Sequence, residues 1–369
     1  MTLNCGIVGL PNVGKSTIFS ALTAVSADIA NYPFCTIDPN VGVVNVPDPR
    51  LAQIAAIIPP ERIVPAVVEF VDIAGLVRGA SKGEGRGNQF LANIRNTGVI
   101  IHVVRCFEND DIVHVEGKVN PASDIETINI ELALADLETV EKRLSKLDRE
   151  IRSNDREVAK RAIQLQPLLE QAQKLLADGR PARLLDFTPE QEKLISDLHL
   201  ITRKKQLYVC NVDERSISTE SPLVAEVQTV AAAEGAGVVA ICGQLEAEIS
   251  RLDTDAEKQA FLEEAGLAES GLSRLIHESY RLLGLRTYFT AGPKEVRAWT
   301  IVAGDKAPQA AGVIHSDFER GFIRAETYHC EDLFSAGSEQ KVREAGKLRQ
   351  EGKEYVVQDG DIMHFKFNV

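Results

Sequence analysis

No two cysteines in this 369-residue chain stand in a C-x-x-C spacing. The six present (Cys5, Cys35, Cys106, Cys210, Cys242 and Cys330) are scattered, which argues against a zinc knuckle or a disulfide frame and for separate, reduced thiols. No run of about 18 apolar residues occurs, so no segment reads as a membrane span. Met1 to Val8 lacks a basic stretch followed by an apolar core. No secretory leader is therefore expected, and the expected compartment is the cytoplasm. Positive charge is in deficit, with a formal net charge of −13. Such a surface repels nucleic acid on average, so DNA is not an expected partner and any RNA contact needs a local basic face. Internal repeats and low-complexity segments are also missing. What remains is a 44% hydrophobic chain, enough for several packed cores, with a length that suggests about two to three domains.

Short apolar, β-branched runs at 3–9, 41–46, 64–73, 99–104, 206–211 and 238–242 alternate with helical patterns such as 88–96 and 222–233. Strands alternating with helices imply an α/β domain with a mainly parallel sheet covered on both faces. The alternation stops near Pro121. Leu132, Leu134, Leu137, Val140, Leu144, Leu147 and Ile151 then recur at three- and four-residue steps, and Val158, Ala162, Leu165, Leu168, Leu169, Ala172, Leu175 and Leu176 do so again. Ser153-Asn154-Asp155 reads as the turn between two long antiparallel helices, close to a coiled-coil hairpin. From 285 onward, strands at 285–290, 298–302, 321–328, 355–357 and 364–369 with short helices between them predict a small α+β domain. The expected division is 1–121 with 206–284 for the nucleotide-binding domain, 122–205 for the inserted hairpin and 285–369 for the last domain.

Gly9-Leu10-Pro11-Asn12-Val13-Gly14-Lys15-Ser16 fits G-x-x-x-x-G-K-[ST] between a strand and a helix. Such a loop turns backbone N–H groups inward around phosphates, here those near Asn12, Val13, Gly14 and Thr17. Lys15 reaches the β/γ oxygens, and Ser16 ligates Mg²⁺. Asp72-Ile73-Ala74-Gly75 ends a later strand and fits D-x-x-G, with Asp72 on the metal and the Gly75 N–H facing the γ-phosphate. Thr36, between the two motifs, is the candidate to complete the Mg²⁺ shell.

Two longer strings are more specific than either motif. Tyr32-Pro33-Phe34-Cys35-Thr36-Ile37-Asp38-Pro39-Asn40-Val41-Gly42 and Asp72 to Ala80, with Gly83-Glu84-Gly85-Arg86-Gly87-Asn88-Gln89-Phe90-Leu91, closely resemble the Obg family of GTPases. The hairpin and the C-terminal domain resemble one branch of it, the Obg-like ATPases called YchF in bacteria. The tail is similar to a TGS domain, a β-grasp module. The resemblance covers essentially the whole chain. It implies an ATPase that engages ribosomes in translation or stress responses.

The base-reading segment departs from the usual N-K-x-D of GTPases. Asn211 is kept, Val212 replaces the lysine, and Glu214 is one methylene longer than the aspartate. Adenine presents an amine beside an acceptor nitrogen, which fits a single carboxylate poorly and backbone groups around Val212 better. Relatives with N-x-x-E here prefer ATP. A degenerate guanine site is the alternative.

Leu76 follows Gly75, where Ras-type enzymes carry the glutamine that directs water. Two candidates could replace it. One is His114, in the polar loop after the 99–104 strand, read as able to swing inward. The other is a K⁺ ion held partly by Asn12. The hairpin tip carries Lys142, Arg143, Lys146, Arg149, Arg152, Arg156, Lys160 and Arg161 among five acids (Glu141, Asp148, Glu150, Asp155, Glu157). This is either a solvated helix face laced with ion pairs or an rRNA contact, to which Arg78, Lys82 and Arg86 could add. The competing functions are a ribosome-docking ATPase switch, an Obg-type GTPase, and a nucleotide-sensing regulator with protein partners.

Overall fold

A computed structural model of the chain describes residues 3–24, 40–73, 86–114, 117–217 and 221–368. In chain order the elements are β1 (Asn4–Val8), α1 (Lys15–Ala24), β2 (Val41–Asn45), α2 (Pro49–Ile57), β3 (Arg62–Val64), β4 (Val67–Asp72), α3 (Arg86–Arg95) and β5 (Val99–Arg105). Then follow α4 (Pro121–Ile151), α5 (Arg156–Ala177), α6 (Pro189–Ile195), β6 (Lys205–Asn211), α7 (Pro222–Glu234), β7 (Gly237–Ile241), α8 (Gly243–Ile249), α9 (Asp255–Glu264) and α10 (Gly271–Leu282). The last stretch holds β8 (Leu285–Ala291), β9 (Glu295–Val302), α11 (Ala307–Ile314), α12 (Ser316–Arg320), β10 (Phe322–His329), α13 (Cys330–Ala336), α14 (Glu339–Glu344), β11 (Arg349–Glu351) and β12 (Asp361–Phe367).

One six-stranded sheet has the order β2-β4-β1-β5-β6-β7, and its β4, β1, β5, β6 and β7 run parallel. Its centre, β5, is buried at all seven positions, which is why Val-Ile-Ile-His-Val-Val-Arg reads as a continuous apolar run rather than an alternating one. The two polar residues in that run are accommodated locally. His102 bonds Gln206 on β6 at 3.1 Å, and burial drives its pKa down to about 3, so the ring is neutral. Arg105 points into the loop that follows.

The expected hairpin is present. Asn120 caps α4 through Ser123 N–H and Pro121 takes the first helical position, while Asp155 caps α5 through the N–H groups of Glu157 and Val158. Val140, Leu147, Ala162, Leu165, Leu169 and Leu176 close the seam between the two helices. Leu134, counted in the predicted stripe, is 39% exposed.

The chain divides into two compact units, one from the described residues of 1–25, 36–42 and 69–275, the other from those of 43–68 and 276–369. Two features differ from the expected division at 121, 205 and 284. First, the hairpin falls within the first unit, because the early turns of α4 belong to the α/β core. Ile125 packs with Val104, Tyr208 and Cys210, and Asn129 donates to Glu234 at 2.9 Å. Second, residues 43–68 cluster with the C-terminal unit, and their β3 joins its sheet, whose order is β11-β10-β12-β8-β9-β3. The predicted single strand over 64–73 is broken at Pro65, which has no N–H for a ladder. Residues before it form β3, paired in parallel with β9, and residues after it form β4. In the second unit, the predicted strand at 355–357 is an isolated bridge between Val356 and Lys306, and β12 begins at Asp361. Its core gathers Tyr288, Ile301, Phe322 and Met363, with Tyr288 stacked on Trp299.

Candidate nucleotide site

The loop between β1 and α1 keeps its shape because two positions cannot carry a side chain. Gly9 has φ +154°, and a Cβ there would lie 2.4 Å from the Val103 carbonyl oxygen. Gly14 has φ +95°, and its Cβ would lie 2.1 Å from Asn211 Nδ2. Lys15, buried at the start of α1, donates to the carbonyls of Gly9 at 2.9 Å and Leu10 at 2.7 Å, so its ammonium arcs back over the loop. Burial lowers its pKa to about 8, opposed by the charge of Asp72. Ser16 and Thr17 are exposed on the open side.

Asp72 ends β4, which pairs with β1 in the register Ile7–Asp72. Its Oδ1 is buried with no hydrogen-bond partner among the described residues, and burial raises the carboxyl pKa against the pull of Lys15. A buried, unsatisfied oxygen next to an ammonium, with a serine hydroxyl on the loop facing solvent, fits a hard divalent cation that also takes phosphate oxygens. Thr36 and Gly75, together with Leu76, Arg78 and Lys82, lie outside the described residues, as does the side chain of Arg86.

Among the base-side residues, Asn211 ties two loops together. Its Nδ2 donates to the Val13 carbonyl at 2.9 Å and its Oδ1 accepts from Gly243 N–H at 3.0 Å, tying the phosphate loop to the start of α8. Val212 is buried in the core, and its N–H donates to the Ile241 carbonyl, so that N–H is already committed. Asp213 caps the short turn Glu214–Ser216 through Ser216 N–H at 2.8 Å. Glu214 is exposed.

His114 is neither solvated nor on a loose loop. Its Nε2 lies 3.0 Å from Asp124 Oδ2 on the first turn of α4, with the two side chains 5% and 3% exposed. The polar run before it is held from beneath. The Arg105 guanidinium donates to the carbonyls of Phe107, Asn109 and Ile112 at 3.2, 3.1 and 3.0 Å, and lies over the Phe107 ring. Asn12, in the left-handed region at φ +62°, donates through Nδ2 to the Val113 carbonyl at 3.1 Å. Neither Arg105 nor Asp124 was a sequence candidate. A buried arginine at a strand end looks like any strand-end cation, and an acid in a first helical turn normally reads as a match to the helix dipole.

At the hairpin tip, Arg143 is paired with Glu150, Lys142 with Glu138 and Arg161 with Asp197. Lys146, Arg149, Arg152, Arg156 and Lys160 are exposed and have no ion-pair partner among the described residues.

The fold and this site define a P-loop nucleotide-binding protein of the GTPase class. Residues 4–165 match the family described as "50S ribosome-binding GTPase", and residues 285–368 match the C-terminal YchF GTPase family, described as "Protein of unknown function (DUF933)". The chain is 55% identical to the Ribosome-binding ATPase YchF of Bacillus subtilis and 54% identical to that of Escherichia coli O157:H7, with 100% of each chain covered. The solved structure of the Schizosaccharomyces pombe YchF GTPase is similar at a TM-score of 0.89 and 38% identity, over 99% of this chain and 98% of that one. The chain belongs to the YchF family.

Proposed function

We propose that this chain is a cytoplasmic, Mg²⁺-dependent ATPase switch that binds the ribosome. The reading is carried by the phosphate loop with the buried Lys15 folded over it, on a chain covered from end to end by relatives named ribosome-binding ATPases. Backbone N–H groups near Asn12, Val13, Gly14 and Thr17 cradle the phosphates, and Lys15 neutralises charge that grows on the β/γ oxygens. Ser16 and Asp72 would hold Mg²⁺, with Thr36 as a further candidate ligand and the Gly75 N–H as a γ-phosphate donor. The metal, when bound, neutralises phosphate charge and aligns the transferred group. ATP is favoured over GTP because the lysine and aspartate that read guanine are replaced by Val212 and Glu214. Asn211 braces the phosphate loop through one Nδ2 hydrogen and Oδ1, and its other Nδ2 hydrogen is the candidate base contact.

His114 is the water-directing group in this reading. A K⁺ ion at Asn12 is the alternative, with Oδ1 as its ligand, since Nδ2 donates to the Val113 carbonyl. The unpaired cations of the hairpin tip are proposed to meet rRNA. The test is ribosome co-sedimentation with ATP, GTP and non-hydrolysable analogues, with phosphate release followed in the same samples. Affinity for ATP about tenfold or more above that for GTP, and ribosome binding that depends on the nucleotide, are expected. Equal affinities would return the site to an Obg-type GTPase. Nucleotide binding with no ribosome association would leave a nucleotide sensor with other partners.

A further inference from the structure

We infer that Asp124 is a positioning residue for His114, fixing which imidazole nitrogen carries the proton. The inference rests on the reading of His114 as the water-directing group. Three consecutive residues of the loop after β5 are each held by a side chain from a different element. Arg105 of β5 holds the Ile112 carbonyl, Asn12 of the phosphate loop holds the Val113 carbonyl, and Asp124 of α4 holds the His114 ring.

An ionised carboxylate has lone pairs and no proton, so the ring nitrogen 3.0 Å from it, Nε2, is the one that bears hydrogen. In a neutral ring that leaves the lone pair on Nδ1, the form that can take a proton from an attacking water. The backbone that carries the carboxylate is fixed. Asp124 N–H closes the first helical bond to the Asn120 carbonyl at 3.0 Å, with Pro121 fixing the turn between them. Because α4 is also one arm of the hairpin, whatever seats the hairpin acts on the residue that orients the ring. A purely structural buried pair would show the same tautomer but would leave turnover unchanged once the fold is retained.

The test uses the full chain labelled with ¹⁵N-histidine, with His114 resonances assigned by their loss in His114→Ala. The wild-type ring is expected as the Nε2–H tautomer; an Nδ1–H ring overturns the inference without any change at Asp124. In Asp124→Asn the amide can donate to Nε2, so a shift towards Nδ1–H is expected. Ribosome-stimulated single-turnover hydrolysis should fall about tenfold or more while ATP affinity stays within about threefold. Asp124→Glu, which keeps an acceptor, should retain the tautomer and more of the rate. An unchanged tautomer and rate in Asp124→Asn, with His114→Ala inactive, sinks the role of Asp124 and leaves that of His114 standing. Full turnover in His114→Ala sinks the His114 reading instead. If Asp124→Asn does not fold, the wild-type tautomer and the Asp124→Glu pair still decide.

Discussion

Lys15 is held in a place where its own charge is costly. Burial lowers its pKa to about 8, with Asp72 the opposing influence, so in the nucleotide-free chain the ammonium begins to lose its proton just above neutrality. A triphosphate binds the charged form better and raises that pKa on binding. The sign follows from linkage: below about pH 8 the site is already charged and affinity is flat, whereas above it binding must first take up a proton. ATP affinity measured by fluorescence titration is therefore expected to weaken from about pH 8 upward, by up to about tenfold per pH unit. Lys15→Ala should bind weakly and lose this dependence; a wild-type affinity flat to pH 9.5, roughly 1.5 units above that pKa, would remove the argument. At this scale the sequence made Lys15, Ser16 and Asp72 readable, because each sits at a fixed offset in a motif whose chemistry demands that residue type. It did not reveal that Asn211 bridges Val13 to Gly243, or that Arg105 and Asp124 organise the His114 loop. Those contacts join residues 7 to 198 positions apart in several elements, and no local spacing encodes them.

The helix α4 is one element with two surroundings. Its early turns lie in the α/β core and its later turns in the hairpin seam. Asp136, fully buried, marks the change. It accepts from Ile201 N–H at 2.9 Å and from Thr202 N–H and Oγ1, both at 2.7 Å, clamping the chain's return to β6. Burial is the larger influence on its carboxyl and raises the pKa, with the three donors opposing it. Nearby, Lys204 donates to the Arg95 and Thr97 carbonyls, and Arg95 at the end of α3 reaches Thr139 on α4 at 2.8 Å. Asp136→Ala leaves three buried donors unmet, at about 1–3 kcal/mol each before the surroundings relax. Hydrogen exchange should show the amides of Ile201 and Thr202 losing protection by about a hundredfold, roughly 2.7 kcal/mol, while β1 and β5 stay protected. Unchanged protection at those two amides would mean the clamp carries no stability. Elements were the most legible scale: the hairpin, its turn at 153–155 and the alternation of strands and helices follow from periodicity and caps. Strand ownership was not, because Pro65 divides one apolar run between two sheets, and pairing partners are chosen by packing far along the chain.

Across the whole molecule the acidic balance makes the hairpin tip stand apart, since a chain of net charge −13 carries there five exposed cations without ion-pair partners among the described residues. Asp155 is engaged in capping α5, and Glu150 in pairing with Arg143, so two of the five interleaved acids are already committed. A solvated ion-pair face would have matched its charges along the helix; this tip leaves cations over. Removing the insertion from near 123 to 204 is the wrong experiment, because it takes away Asp124, Ile125, Asn129 and Asp136, which belong to the core and to the site. The informative change removes only the tip, residues 143–164, and rejoins the two helices through a short Gly/Ser turn. The seam residues Val140, Leu165, Leu169 and Leu176 remain, as do both clamps at the base. Such a chain is expected to bind ATP within about threefold of the full chain, because no group placed at the phosphate loop is touched. Its ribosome association should weaken and lose part of its salt dependence, roughly one unit of log–log slope per phosphate contact removed. Co-sedimentation at two or more salt concentrations measures both, and a quintuple Lys146, Arg149, Arg152, Arg156 and Lys160 to Gln chain separates lost charge from lost shape. Undiminished binding with an unchanged salt slope in both chains would make the tip a solvated helix end and move the ribosome contact to another face.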